Sequence, residues 1–337
     1  MAHLLEIQNV TKVFGGGLFS KGDVTVAVDN VTFSIEDDKP TITAIAGESG
    51  SGKTTLALLM MGQIPPTTGK VLYRGRDLTR ISKEERFQLR REVQPIFQDP
   101  FAAYNPFYRV DHVLEVPIQR FRLAPTKAEA QKLIEEVLEM VGLRPAETLG
   151  RFPHQLSGGQ RQRLMVARAL LCHPKIIMAD EPVSMVDASL RATILASLRK
   201  LNQKLGISVM YITHDLTTAY QICENILIMY SGSVVEAGSV EQVIRDPKHP
   251  YTQLLILSIP VPGKGKRWIG EATEEAALAT IRKSTGCKFA ARCPAAMEMC
   301  WSQRPAFYLP DGKRAVACFL YRDSSVLETS DLSQLFY

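Results

Sequence analysis

One short segment constrains this chain more than any other. Residues 47–54 read Gly-Glu-Ser-Gly-Ser-Gly-Lys-Thr, which matches the pattern G-x-x-x-x-G-K-[ST]. The apolar run at residues 41–46 predicts a strand before it, and residues 53–61 predict a helix after it. Glycines let successive backbone N–H groups turn inward around phosphate oxygens, and the helix start adds a positive dipole end. The segment therefore predicts a loop that holds the phosphates of a nucleoside triphosphate.

Each position in this phosphate loop has an expected role. Lys53 should reach the β- and γ-phosphates, and the Thr54 hydroxyl should coordinate Mg²⁺. The other positions expected to contact the nucleotide are Gly47, Ser49, Gly50, Ser51, Gly52 and Thr55. The alternative is an ordinary glycine-rich turn with a solvated lysine, which the flanking strand and helix disfavour. The loop alone does not name the reaction.

Strand and helix patterns alternate along the first 245 or so residues. Residues 175–179 and 208–213 are apolar, β-branched runs, as in strands buried on both faces of a parallel sheet. Residues 127–141 place apolar side chains on one helix face, after a predicted capping box of Thr126 with Glu129. The same start signal is given by Ser82 with Glu85 and by Ser239 with Gln242. The alternation predicts an α/β fold.

Composition excludes several classes of protein. The chain has 337 residues, a length that suggests two domains. Its residues are 45% hydrophobic and 22% charged, a composition that argues against a disordered or fibrous protein. A net charge of +5 is too small to indicate a nucleic-acid binder, and it also suits a protein on an anionic membrane face. Because no long apolar run and no signal-peptide pattern occurs, a cytoplasmic location is expected.

A second segment ends in two carboxylates. Residues 176–181 read Ile-Ile-Met-Ala-Asp-Glu, an apolar strand followed by two acids. Asp180 is placed to hold the Mg²⁺ shell, and Glu181 is placed to polarise an attacking water. A solvated acidic turn before Pro182 is the alternative, which the pair by itself does not exclude.

Residues 156–160, Leu-Ser-Gly-Gly-Gln, decide between these alternatives. A serine and paired glycines at the start of an Arg-rich helical stretch form a second anion-binding surface. Followed by the strand that ends in Asp180 and Glu181, this segment resembles the nucleotide-binding subunits of ATP-binding cassette (ABC) transporters. The resemblance implies an ABC-type P-loop ATPase core with an antiparallel β subdomain and a helical subdomain at about residues 99–165.

The same resemblance implies that each ATP site is shared between two subunits. In the family, the serine-glycine loop binds the γ-phosphate of an ATP that the opposite subunit holds. The residues at the matching positions of this chain are Ser157, Gly158, Gly159 and Gln160, and the same role is expected of them. Asp187 matches the loop that crosses the dimer interface.

Further roles follow from the resemblance one position at a time. Gln98 matches the glutamine that senses Mg²⁺ and the γ-phosphate, and His214 matches the histidine that contacts the γ-phosphate. Phe14, with Phe19 as the alternative, matches the aromatic residue that stacks on adenine. The expected catalytic residues are Lys53, Gln98, Glu181 and His214, and the expected Mg²⁺ ligands are Thr54, Gln98 and Asp180.

Longer stretches are similar to the ATPases of dipeptide and oligopeptide importers, namely residues 46–50, 91–100, 105–106 and 249–252. The similarity implies a second ABC ATPase subunit, with a heterodimer favoured over a homodimer, and two transmembrane permease subunits. It also implies an extracytoplasmic substrate-binding protein as an indirect partner and a peripheral position at the cytoplasmic face of the cell membrane. Part of residues 99–120 is then expected to line the groove that receives a permease helix.

Two functional alternatives remain at this point. Relatives of peptide importers also carry oligosaccharides or nickel, and the ATPase itself does not touch the transported molecule. A soluble ABC ATPase that remodels a ribosome or DNA usually has two cassettes or a long coiled-coil insertion. Neither occurs in this sequence, so nucleic acid is not expected as a partner.

Four of the six cysteines fall near the C-terminus, at Cys287, Cys293, Cys300 and Cys318. Their spacing, C-x5-C-x6-C-x17-C, lacks the close cysteine pairs typical of structural zinc sites. Four thiolates are the usual ligands of a [4Fe–4S] cluster, and the spacing resembles the C-terminal extension of some peptide-importer ATPases that carry one. Zinc and unligated thiols remain alternatives, as does a redox or iron sensor that gates the ATPase.

The chain is expected to divide into two parts. Residues 1–255 form the predicted ABC nucleotide-binding domain, and residues 256–337 form the oligopeptide-transporter-type extension with the four cysteines. Prolines and glycines at residues 259–265 mark the boundary. Cys172 and Cys223 lie in helical patterns and are interpreted as small buried residues.

Overall fold

The computed structural model describes residues 3–15, 24–98, 104–184, 186, 188–259, 285–329 and 331–336. The expectations for Phe19 and Asp187, and for parts of the groove and boundary segments, lie outside the described residues. The helices are α1 (Lys53–Met60), α2 (Lys83–Glu92), α3 (Asp111–Phe121), α4 (Lys127–Met140), α5 (Pro145–Thr148), α6 (Gly158–Leu171), α7 (Ala188–Leu205), α8 (Leu216–Ile222), α9 (Val240–Arg245), α10 (Pro250–Leu257) and α11 (Met299–Ser302).

The strands alternate with these helices and confirm the predicted α/β class. They are β1 (His3–Phe14), β2 (Thr25–Glu36), β3 (Ile42–Ala46), β4 (Thr68–Tyr73), β5 (Arg76–Asp77), β6 (Val93–Ile96), β7 (Ile176–Asp180), β8 (Ser208–Thr213), β9 (Asn225–Tyr230), β10 (Ser233–Ser239), β11 (Tyr308–Leu309), β12 (Ala315–Val316) and β13 (Ser325–Val326). The strands predicted at residues 41–46, 175–179 and 208–213 are confirmed as β3, β7 and β8.

The described strands form two sheets. An antiparallel sheet has the order β2-β1-β4-β5, and a larger sheet has the order β13-β11-β12-β10-β9-β3-β8-β7-β6. The strands from β9 to β6 in the larger sheet are parallel, whereas β10 to β13 are antiparallel. The three C-terminal strands therefore extend the same sheet that carries the phosphate loop.

Strand β3 shows how the core is divided between the two faces of the larger sheet. Ile42, Ala44 and Ala46 pack with the apolar side chains of α3, α4 and α6, whereas Ile45 faces the antiparallel sheet. This alternation follows from the two-residue period of a strand. The carboxyl ends of β3, β7 and β8, buried on both faces, are thereby held in fixed positions next to one another.

Predicted helix starts are confirmed with one difference in detail. Ser82 caps α2 through a complete capping box with Glu85. The Thr126 hydroxyl accepts a hydrogen bond from the Glu129 N–H at the start of α4, but the Glu129 carboxylate bonds that hydroxyl instead of the capping backbone. Ser239 and Gln242 at α9 behave as Thr126 and Glu129 do. Among the described helices, none is long and apolar enough to cross a membrane.

Candidate functional site

The phosphate loop follows β3 and presses closely against neighbouring backbone. Gly47 has φ 153° and Gly52 has φ 101°, both in the region that favours glycine. A Cβ on Gly47 would lie 2.2 Å from the Met229 carbonyl oxygen, and one on Gly52 would lie 2.1 Å from that of Ala27. These positions require glycine because the loop packs directly against the backbone at the start of β2 and the end of β9.

Helix α1 begins directly at the end of this loop. Its N-cap is Gly52, and the described residues supply no side-chain cap and no acidic residue in its first turn. Its first backbone N–H groups are therefore available to an anionic ligand, which the helix dipole also favours.

The Lys53 side chain is folded over the loop. Its ammonium donates to the carbonyl oxygens of Gly47 and Glu48, both at 2.7 Å, and the residue is only 6% exposed. Burial lowers the pKa of Lys53, and the carboxylates of Glu181, Asp180 and Glu48 oppose that change. The loop thus holds a positive charge above its own backbone, within electrostatic range of these three carboxylates.

Thr54 and Asp180 meet where α1 starts and β7 ends. The Thr54 hydroxyl donates to Asp180 Oδ2 at 3.1 Å. Burial raises the pKa of Asp180; the Thr54 hydrogen bond lowers it, Glu181 raises it and Lys53 lowers it. A hydroxyl and a carboxylate are hard oxygen ligands, which fit Mg²⁺ beside nucleotide phosphates.

Both oxygens of the Glu181 carboxylate are bonded to residues from other strand ends. The Gln98 amide, after β6, donates to Oε2 at 3.0 Å, and His214 Nδ1, after β8, lies 2.7 Å from Oε1. Glu181 also has φ 44°, which is strained for a residue with a side chain. Its backbone N–H donates to the Ile212 carbonyl at 2.9 Å, which helps to hold this conformation.

Residues 157–160 form a second structured loop at the start of α6. Ser157 and Gln160 make a capping box, with the Gln160 N–H donating to Ser157 Oγ at 3.2 Å and the Ser157 N–H to Gln160 Oε1 at 2.9 Å. Gly158 is partly exposed, and a Cβ on the buried Gly159 would lie 2.5 Å from Leu190 Cδ1. Ser157 itself is exposed.

The structure brings most of the predicted site residues together and leaves others apart. Side-chain hydrogen bonds join Thr54 to Asp180 and join Gln98 and His214 to Glu181, and Lys53 lies within electrostatic range of both acids. The described hydrogen bonds of the Ser157 loop stay within its own helix start and do not reach this group. Phe14 ends β1, is 43% exposed and has the Lys12 ammonium 5.2 Å from its ring centroid.

Two residues that hold the loop were not predicted from the sequence. The Glu48 N–H donates to the hydroxyl of Tyr251, and the Glu48 carboxylate accepts two hydrogen bonds from Arg292. Tyr251 lies in residues 249–252, which carried a family resemblance only, and no local pattern singles out Arg292.

The four C-terminal cysteines lie around one small cavity. Cys287, Cys293, Cys300 and Cys318 all line it, together with Phe289. Burial raises the pKa of the Cys287 and Cys293 thiols and raises that of Cys318 to about 11. Within the described ranges, no three His, Cys, Asp or Glu side chains converge closely enough to bind one metal ion.

The other two cysteines confirm their interpretation. Cys172 and Cys223 are 1% and 6% exposed, and both pack in apolar surroundings.

Comparisons with known proteins identify the family of this chain. The family described as "ABC transporter" matches residues 28–184, and the family "Oligopeptide/dipeptide transporter, C-terminal region" matches residues 235–300. The chain is 37% identical to the putative oligopeptide transport ATP-binding protein YkfD of Bacillus subtilis, over 96% of this chain and 98% of that protein. It is 37% identical to the dipeptide transport ATP-binding protein DppF of Haemophilus influenzae, over 90% of this chain and 91% of that protein.

A solved structure is similar in fold. The ATP-binding cassette MJ0796, a dimer bound to ADP and Pi, has a TM-score of 0.62 and 30% identity over 70% of this chain and 98% of that one. The chain belongs to the ATP-binding proteins of ABC transporters, in the oligopeptide and dipeptide transporter group. It is therefore an ABC-type, transport-coupled ATPase.

Proposed function

We propose that this ATPase energises the import of dipeptides or oligopeptides from the cytoplasmic face of the cell membrane. The observation that carries the ATPase part is the Glu181 carboxylate, held by Gln98 and His214 beside the Thr54–Asp180 pair and Lys53. The peptide part rests on the C-terminal family match and on the printed names of the relatives.

In this proposal the loop and α1 bind the phosphates. Backbone N–H groups of residues 47–55 surround the phosphate oxygens, and Lys53 turns from the loop carbonyls to the β- and γ-phosphates. Thr54, Asp180 and Gln98 would hold Mg²⁺, which neutralises charge on the β- and γ-phosphates. Phe14 stacks on adenine.

Hydrolysis itself is assigned to the residues around Glu181. Its carboxylate polarises the attacking water, because it is fixed at both oxygens and lies beside the phosphate loop. His214 donates a hydrogen bond to the γ-phosphate as negative charge develops there. Gln98 senses whether the γ-phosphate is present, the role of the matching glutamine in the family.

The partner assignments rest on the family to which the chain belongs and on the exposed position of the second loop. We propose that Ser157, Gly158, Gly159 and Gln160 bind ATP held by a second ABC ATPase subunit, with a heterodimer favoured. The exposed Ser157 and the dimeric form of MJ0796 support this arrangement. Two transmembrane permease subunits, and indirectly an extracytoplasmic binding protein, complete the importer; nucleic acid is not a partner.

We assign residues 1–255 to the nucleotide-binding domain, with its helical subdomain at about residues 99–165, and residues 256–337 to the extension. The four cysteines of the extension are proposed to hold a [4Fe–4S] cluster, which would clip this part of the chain together. Four thiols around one cavity support this proposal, and the lack of close cysteine pairs in the spacing C-x5-C-x6-C-x17-C disfavours the alternative, zinc.

Transport is tested by uptake of labelled peptides into cells that lack this gene and carry either the native chain or Lys53→Ala. The native chain should restore uptake, and Lys53→Ala should not, whereas the exposed-surface control Arg144→Ala should restore it fully. Restored uptake of nickel or an oligosaccharide, with peptide uptake unchanged, would contradict the peptide assignment.

The metal is tested on the full chain purified without oxygen. A broad visible absorbance band, with iron and sulfide bound in equal amounts, is expected, and Cys293→Ser should lose it while Cys172→Ser keeps it. Stoichiometric zinc without iron would overturn the cluster assignment.

A further inference from the structure

Arg292 connects the cysteine-lined part of the chain to the phosphate loop. It ends the short 3₁₀ helix Ala290–Arg292, between Cys287 and Cys293. Its Nη1 and Nη2 donate to the two carboxylate oxygens of Glu48, each at 2.9 Å. Such a two-pronged ion pair fixes direction as well as distance, which a single surface contact does not.

The backbone of Glu48 is held from the same side. Its N–H donates to the hydroxyl of Tyr251 at 2.8 Å, and Tyr251 is fully buried. The Tyr251 ring packs against Tyr230 and Phe289, with ring centroids 4.6 and 5.5 Å away. The Arg292 guanidinium lies over the rings of Tyr230 and Phe289 at 5.6 and 5.7 Å, so one aromatic cluster supports both contacts.

A second route from this region reaches the far end of the loop. Lys288 forms an ion pair with Asp29 at 2.8 Å, and Arg304 forms another at 3.0 Å. The Asp29 N–H donates to the Gly232 carbonyl, and the Gly232 N–H donates to the Ser51 carbonyl. The loop is therefore held at Glu48 directly and at Ser51 through two backbone hydrogen bonds.

We propose that Arg292 is a positioning residue for ATP binding, which acts by fixing Glu48 and hence the phosphate loop. The inference rests on the proposed role of this loop. Two carbonyls that hold the Lys53 ammonium belong to Gly47 and Glu48, so a shift of Glu48 displaces that charge along with the loop N–H groups. Loss of the ion pair should weaken binding without removing any group that reacts.

The test measures the dissociation constant of Mg–ATP with the full chain carrying Glu181→Gln, so that nucleotide is not consumed. Arg292→Ala should raise it about tenfold, and Arg292→Lys about threefold, because lysine keeps the charge but not the two-pronged geometry. Arg292→Gln, which keeps most of the side-chain stem over the rings, is the second variant if Arg292→Ala does not fold. The control Arg144→Ala breaks an exposed ion pair with Glu147 and should leave the constant unchanged.

Coupling separates this role from a general loss of stability. Glu48→Ala with Arg292→Ala should bind no more weakly than Glu48→Ala alone, and the exchange Glu48→Arg with Arg292→Glu should recover part of the affinity. With Glu181 intact, KM for ATP should rise while kcat changes less than twofold. The inference would be overturned if Arg292→Ala left ATP binding unchanged, or if the losses of Glu48→Ala and Arg292→Ala added in the double variant. If Lys53→Ala still bound ATP normally, the assignment of the phosphate loop itself would be wrong.

Discussion

At the scale of single residues, the carboxylate of Glu181 is held at both of its oxygens. Gln98 and His214 bond its two oxygens, and its backbone sits in a left-handed conformation. Strain of this kind persists only where the surroundings over-determine it, and it is concentrated at functional sites. The carboxylate is thus already oriented before any ligand arrives.

Glu181→Gln should reduce ATP hydrolysis at least about 100-fold, because the amide keeps the hydrogen-bonding shape but cannot polarise water. ATP binding should remain, and ATP should still drive closure of the subunit pair. Steady-state phosphate release and size-exclusion chromatography with ATP measure the two effects. Glu84→Gln, an exposed acid on α2, is the control, and hydrolysis near the native rate in Glu181→Gln would remove this residue from its assigned role.

At the scale of elements, Arg314 joins the C-terminal extension to the larger sheet. It precedes β12, is 3% exposed and forms ion pairs with Asp246, Asp311 and the fully buried Glu236 on β10. Burial raises the pKa of Glu236, whereas hydrogen bonds from the backbone N–H groups of Lys248 and His249 and the charge of Arg314 lower it. Removal of Arg314 would leave the Glu236 charge buried with fewer partners.

Arg314→Met is expected to lower the free energy of unfolding by about 3 kcal/mol, since it breaks a buried ion pair on one side only. Adding Glu236→Gln should recover part of that loss. Urea unfolding followed by circular dichroism measures both, with Lys132→Met on α4 as a control that should change stability by less than about 0.5 kcal/mol. If Arg314→Met lowered the free energy of unfolding by less than about 0.5 kcal/mol, the ion pair between Arg314 and Glu236 would not contribute to stability.

The central strands of the core were predictable because a local run of apolar residues is enough to indicate that a strand is buried. Strands β3, β7 and β8 are apolar runs, and Lys53 and Thr54 stand in a spaced loop pattern, whereas the interpretation of Asp180 also needed the resemblance carried by residues 156–160. Strands β11, β12 and β13 have two residues each, too few for any periodic pattern, and their place depends on pairing with β10. The Tyr251 and Arg292 contacts with Glu48 span 203 and 244 positions, so nothing near either residue predicts them.

At the scale of the whole molecule, the chain carries the phosphate loop and a second proposed phosphate-binding surface, the Ser157 loop, and no described hydrogen bond joins the two. The loop at residues 47–54 lies beside Glu181, and the Ser157 loop is exposed at the start of α6. In the subunit pair proposed above, two chains related by a two-fold or pseudo-two-fold axis would bring one surface of each kind together. The rate of ATP hydrolysis per subunit should therefore depend on subunit concentration, because the complete site forms only when two subunits associate.

Ser157→Arg is expected to block ATP-driven association of the two ATPase subunits, because a long cation replaces the exposed capping hydroxyl at the helix start. ATP binding to the isolated chain should change less than twofold. Analytical ultracentrifugation with ATP, on the Glu181→Gln background, measures the association. Ser325→Arg on the outer strand β13 is the control, and normal association of Ser157→Arg would contradict the shared-site arrangement.

The pairing of β12 with β10 also bears on solubility. β12 covers the outer edge of β10 at Glu236 and Ala237, so a chain cut after residue 259 would leave this edge with unpaired backbone N–H and C=O groups. An exposed edge of this kind recruits strands from other molecules. The shortened chain should therefore scatter light increasingly with concentration while the full chain stays dispersed, and a proline at Ala237, which cannot donate a backbone hydrogen bond, should reduce that scattering.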